Sequence, residues 1–71
     1  MEVYGRDGRK HKLSIITLPC LDVSFYVDGV HQMYSKHDEW VGDLKTICEK
    51  HGFDMGYILF TLNFNEYKEG K

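Results

Sequence analysis

Two polar, glycine-bearing clusters, Gly5-Arg6-Asp7-Gly8 and Asp28-Gly29, each stand between runs in which apolar and polar residues alternate. Alternation marks a half-buried strand, because successive side chains of an extended chain point to opposite faces. The first cluster separates Glu2-Val3-Tyr4 from Lys12-Leu13-Ser14-Ile15-Ile16-Thr17-Leu18, and its glycines can supply the positive φ of a tight reversal. Pro19 ends the second run, since it lacks the amide hydrogen a ladder requires. The second cluster joins Val23-Ser24-Phe25-Tyr26-Val27 to Val30-His31-Gln32-Met33-Tyr34, and its Asp-Gly predicts a type I′ turn. Two β-hairpins are expected.

The period then changes. Trp40, Val41, Leu44, Ile47 and Cys48 recur at three- and four-residue spacing, the stripe of a helix resting on a core, while Asp43, Lys45, Glu49 and Lys50 fall outside it. Ser35 is expected to cap this helix, with Asp38 answering from the third position, and Gly52 to end it near His51 in the left-handed conformation. From Gly56 to Phe64, Ile58, Phe60, Leu62 and Phe64 alternate with Tyr57, Leu59, Thr61 and Asn63, which predicts a final strand; a frayed tail is expected from Glu66 to Lys71. The expected fold is one α+β domain over residues 1–71, an antiparallel sheet of about five strands in the order β-β-β-β-α-β with one helix on one face. The other face would carry Ile16, Tyr26, Met33, Tyr57 and Leu59, more apolar and aromatic than a face meant only for water.

Size and composition narrow the classes. A chain of 71 residues has room for one small core and little for a deep catalytic cleft. With 42% hydrophobic residues and a single proline it can offset its ordering entropy and fold. No apolar run approaches the roughly 18 residues of a membrane span, and no basic start leads into an apolar signal segment, so a soluble cytoplasmic chain is expected. Cys20 and Cys48 are too few for a disulfide scaffold and read as free thiols. The net charge of −2 conceals an asymmetry: the first twelve residues carry +2 and the remainder −4.

Candidate chemistry is sparse. Cys48 and His51, with His31 and His37 as further ligands, lack the two close ligand pairs of a structural zinc site, so no metal is expected. The same pair is ill placed for cysteine catalysis, since a thiolate is disfavoured at the negative end of a helix. Asp38 with Glu39, and Glu66 with Glu69, are not held at a defined separation for acid and base work. Nucleotide-binding and hydrolase motifs are absent, so neither an enzyme nor a cofactor is expected. Gly5-Arg6-Asp7-Gly8 has the Gly-x-x-Gly spacing of a KH-domain clamp, but its flanks read as strands where the clamp joins helices.

Two functional readings remain. The first is a non-enzymatic protein-binding module, of the kind a virus or mobile element uses to occlude a site on a host protein. Tyr26, Met33, Tyr57 and Leu59 would be its anchors, and Asp38, Glu39 and Asp43 would steer it toward basic surfaces. A homodimer seam on the same face, or pairing through the exposed edge Val30 to Tyr34, is a variant of this reading. The second is weak, salt-dependent nucleic-acid binding by Arg6, Arg9, Lys10 and Lys12 on the first hairpin, with Tyr4 for stacking.

Overall fold

The structure, a computed structural model, describes residues 1–69, with side chains through residue 62. Four strands form one antiparallel meander: β1 (Glu2–Tyr4), β2 (Lys10–Thr17), β3 (Val23–Val27) and β4 (Val30–Ser35), in that spatial order. Two helices follow, α1 (Trp40–His51) and α2 (Met55–Glu69). Both expected hairpins are present. Gly8 closes the first at φ 76°, and Asp28 and Gly29 close the second at φ 53° and 82°, the two positive values a type I′ turn demands.

Register decides which side chains face the helices. Leu13 pairs with Val27, Ile15 with Phe25 and Thr17 with Val23, while Phe25 also pairs with Met33 and Val23 with Ser35. Directly paired residues share a face, so these line the helix side together with Val3, and Leu13 and Phe25 are completely buried there. Leu44, Ile47 and Cys48 of α1, Phe53 of the interhelical turn and Ile58 of α2 close over them. The opposite face shows rows such as Ile16, Ser24 and Tyr34, or Ser14, Tyr26 and His31. An irregularity between Phe25 and Tyr26 leaves Gln32 without a ladder partner.

Three expectations change. The fifth strand expected over Gly56–Phe64 is part of α2, so the sheet has four strands and the domain two helices. A continuous apolar run fits period two and period 3.6 alike, and the deciding signals are Asp54 and the set Met55, Ile58, Leu59, Leu62. Asp54 Oδ1 accepts the Tyr57 amide at 3.2 Å, capping the helix, and that set repeats at helical spacing to pack on the core. The tail expected to fray from Glu66 is helical through Glu69; the remaining two positions, and the side chains of Asn63 and Phe64, lie outside the described residues.

The start of α1 also differs. Ser35 ends β4 rather than capping the helix, which begins at Trp40 with no side-chain cap from Glu39. The Ser35 hydroxyl instead donates to Asp43 Oδ2 at 2.6 Å, tying the last strand to the first turn of the helix. The other end of α1 is as expected: Gly52 takes φ 78° and its amide donates to the Cys48 carbonyl at 2.7 Å.

Gly52 has a second constraint. A Cβ on it would lie 2.5 Å from Arg6 Cβ and 2.7 Å from the Arg6 nitrogen, whereas one on Gly29 would meet open space. Gly29→Ala should therefore cost only the left-handed penalty of about 1–2 kcal/mol. Gly52→Ala adds a backbone collision and should cost about 1–3 kcal/mol beyond that. Urea denaturation of the two variants checks this; equal losses would contradict the close packing of the first hairpin against α1.

Candidate protein-interaction surface

The predicted contact residues do not share one surface. Tyr26 lies on the open sheet face, half-buried and edge-on to His31 at 5.1 Å. Met33 belongs to the opposite face, where it packs against the core, because it pairs with the buried Phe25. Tyr57 and Leu59 lie on α2, Leu59 turned inward against the core and Tyr57 outward. Asp38 and Glu39 are exposed in the turn before α1, while Asp43 is held by Ser35. The uncovered sheet face thus loses Met33, Tyr57 and Leu59, and becomes an ordinary mixed surface of Lys12, Ser14, Ile16, Tyr26, His31 and Tyr34 around the buried Ser24.

The aromatic surface lies elsewhere. Tyr57 is 52% exposed and Phe60 70% exposed on α2, and Tyr4 is 66% exposed on the edge strand β1. Tyr4 and Tyr57 flank a groove of about 380 Å³ whose other lining residues are Glu2, Val3 and Asp54. Three structural causes bring them together: β1 is the outermost strand, Gly52 and Phe53 turn the chain after α1, and Asp54 starts α2 beside that edge. Phe60 was not legible as exposed, since strand alternation placed it on the same side as Ile58.

The basic first hairpin is largely engaged within the fold. The Arg6 guanidinium donates to the carbonyls of Glu49 at 2.7 Å and Lys50 at 3.3 Å, and its amide donates to His51 O at 2.7 Å. A cation there answers the negative end of α1. Lys10 lies 3.7 Å from Glu2. Arg9 and Lys12 remain as exposed basic side chains on this hairpin.

His11 is the centre of the same region. Its Nδ1 lies 2.6 Å from Asp28 Oδ2 and its Nε2 3.1 Å from both oxygens of Asp7, so one imidazole ring bridges the two hairpin turns. The Asp28 bond, and then the Asp7 bond, raise the His11 pKa. Asp28 is lowered by His11 and the Lys12 amide, and Asp7 by the Arg9 amide and His11. His51 stacks on Phe53 at 5.1 Å, bonds Gln32 Oε1 at 3.1 Å, and is pushed down by burial and by the neighbouring Lys50 and His11 charges. Phe53 therefore lies between a histidine whose pKa is raised and one whose pKa is lowered.

The two cysteines are free thiols in different settings. Cys48 is buried, its thiol 3.7 Å from Met55 Sδ, and burial raises its pKa, which disfavours the thiolate. Cys20 is exposed and lies 3.9 Å from the Tyr34 hydroxyl. That hydroxyl donates a short hydrogen bond to Asp22, whose other oxygen accepts the His37 amide at 3.1 Å. The Asp22 carboxyl is held low, by Tyr34 above all, and it braces the β2–β3 connection against the end of β4. Among the described residues no cluster of three metal-ligating side chains occurs, and no helix is long and apolar enough to cross a membrane. Comparison with protein families, with characterised proteins and with solved structures finds no match to this chain.

The histidine bridge sets a pH dependence. Its His11 contribution is complete below about pH 6.5 and is lost as pH rises through the raised folded value. The Asp7 and Asp28 contributions are complete above about pH 3.9 and are lost as pH falls through their depressed values. His51 opposes His11, since its neutral form is favoured and its contribution fades as pH falls below about 6.5. The excess in Tm of the native chain over His11→Gln should be largest near about pH 5.5 and shrink as pH rises above about 6.5. A difference that does not change with pH would remove the charged bridge.

Proposed function

We propose that this domain is a non-enzymatic protein-binding module that acts by occupying a surface of its partner. Its contact surface is formed by Tyr57 and Phe60 of α2 together with Tyr4 at the edge of β1. The observation that carries the reading is the outward placement of Tyr57 and Phe60 on a helix whose inner side is already apolar. Among the described side chains of α2, Met55, Ile58, Leu59 and Leu62 pack on the core while Tyr57 and Phe60 stay exposed, and exposed aromatic area of this kind marks a contact surface. Rigid aromatic side chains are the residues that anchor protein contacts, because they bury large area for little lost rotamer freedom.

The basic hairpin supports nucleic-acid binding less well, since Arg6 serves the end of α1 and Lys10 neighbours Glu2. With Arg6 and Lys10 engaged in these contacts, Arg9 and Lys12 alone would neutralise too few phosphates for more than weak attachment. Tyr57→Ser with Phe60→Ser should leave the far-UV circular dichroism unchanged, because both rings face outward. Affinity capture from lysate of the source or its host, after nuclease treatment and at high salt, should then recover a stoichiometric protein with the native chain and not with the double variant. Equal recovery by both proteins, or a catch lost on nuclease treatment, refutes this surface.

A further inference from the structure

We infer that the groove between β1 and the start of α2 binds its partner by strand addition, taking an extended cationic segment of another protein onto the free edge of β1. The inference deepens the protein-binding reading and rests on it.

The main chain supplies the first argument. Leu13 and Met1 exchange hydrogen bonds at 2.7 Å in both directions, and Gly5 N donates to Arg9 O at 3.0 Å. Hydrogen bonding alternates along an antiparallel strand, so Met1, Val3 and Gly5 direct their N–H and C=O groups at β2. Glu2 and Tyr4 therefore direct theirs away from the sheet, along an edge that no strand covers. The groove runs beside these groups, with Tyr57 and Asp54 forming its far wall. An edge strand facing a helix across a groove is the arrangement in which an added peptide gains main-chain bonds from the strand and side-chain selectivity from the wall.

Charge and periodicity describe the occupant. The ionisable carboxylates of the lining are Glu2, which faces Lys10 at 3.7 Å, and Asp54, and the lining itself holds no cation, so Asp54 carries the charge argument. In an added strand, the residues opposite Glu2 and Tyr4 are the ones bonded to β1, and their side chains share the open side. The residue between them points, as Val3 does, toward the helix side, where Tyr57 and Asp54 lie. An arginine or lysine there can lay its stem on the Tyr57 ring and set its charge at the Asp54 carboxylate. A second copy of the chain fits less well: two β1 edges meeting around a two-fold at Val3 would bring both sets of Glu2 and Asp54 together.

The test uses the full chain, labelled with ¹⁵N, and three end-blocked peptides that read the same in either strand direction. Thr-Val-Arg-Val-Thr should shift the Glu2, Tyr4 and Tyr57 amides and slow hydrogen exchange at Glu2 and Tyr4. Thr-Val-Glu-Val-Thr should bind about fivefold more weakly or worse, and Thr-Pro-Arg-Pro-Thr, which lacks the amide hydrogens at the bonding positions, should not bind. Asp54→Asn keeps a capping side chain on α2 but removes the charge, and should weaken the arginine peptide about fivefold. Equal binding of the proline peptide, shifts confined to β4, or concentration-dependent shifts at β1 without peptide each overturn strand addition. If no peptide binds yet the Tyr57/Phe60 variant still loses its captured protein, strand addition fails and the binding surface stands. If the arginine peptide binds but that variant keeps its captured protein, the groove stands and the Tyr57/Phe60 surface fails.

Discussion

The end of α1 is the constraint on which the rest of the domain depends. A helix terminus leaves carbonyls without partners and a negative dipole, and both must be answered where the chain turns back over the core. Here Gly52 closes the helix in a left-handed conformation, and Arg6, from the far end of the sequence, donates to the last carbonyls. That contact fixes the first hairpin against the helices and places Phe53 between His11 and His51. It also sets the chain direction into α2, whose cap, Asp54, then stands beside the β1 edge. The groove thus follows from how one helix is ended.

Much of this was legible where local chemistry decides. Asp28-Gly29 specifies its turn through positive φ at both positions, and the stripe of Leu44, Ile47 and Cys48 admits only the helical period. The run Tyr57 to Leu62 was ambiguous because every residue but Thr61 is apolar, so period carries no information and only Asp54 marks the helix start. The candidate site inherited that ambiguity. Tyr57 was singled out and is exposed, but the strand reading turned Phe60 inward and Leu59 outward, the reverse of their positions. Met33 was misplaced for a different reason: strand faces follow only from the register, and the irregularity after Phe25 shifts it. The His11 bridge and the Arg6 cap join residues distant in sequence, which no periodicity reveals.

The distribution of charge completes the picture. Arg6, Asp7, His11, Asp22, Asp28 and Asp43 are all held in contacts between elements. A domain of this size has little buried area with which to hold its layers together, and these polar ties supplement it at the turns. They also engage the same side chains within the fold. A sequence that looked rich in steering charges therefore has fewer to offer than its composition implies, and Asp38, Glu39, Arg9 and Lys12 stand among those left exposed.

Recognition of the proposed kind would then depend on what the fold leaves outward by necessity. A four-stranded meander has two edges, and its first strand is only three residues long, a length that limits accidental pairing with other chains. Short edges are poor templates unless something beside them adds area, and the Tyr57 ring across the groove is such an addition. Three strand residues offer at most four outward main-chain groups, from Glu2 and Tyr4, so a partner held by these alone would leave readily. The aromatic wall and the Asp54 carboxylate contribute selectivity that the main chain cannot supply, since every peptide carries the same N–H and C=O groups. In the proposed mode, a short edge beside an aromatic and acidic wall would refuse most extended chains while accepting one of matching charge and period.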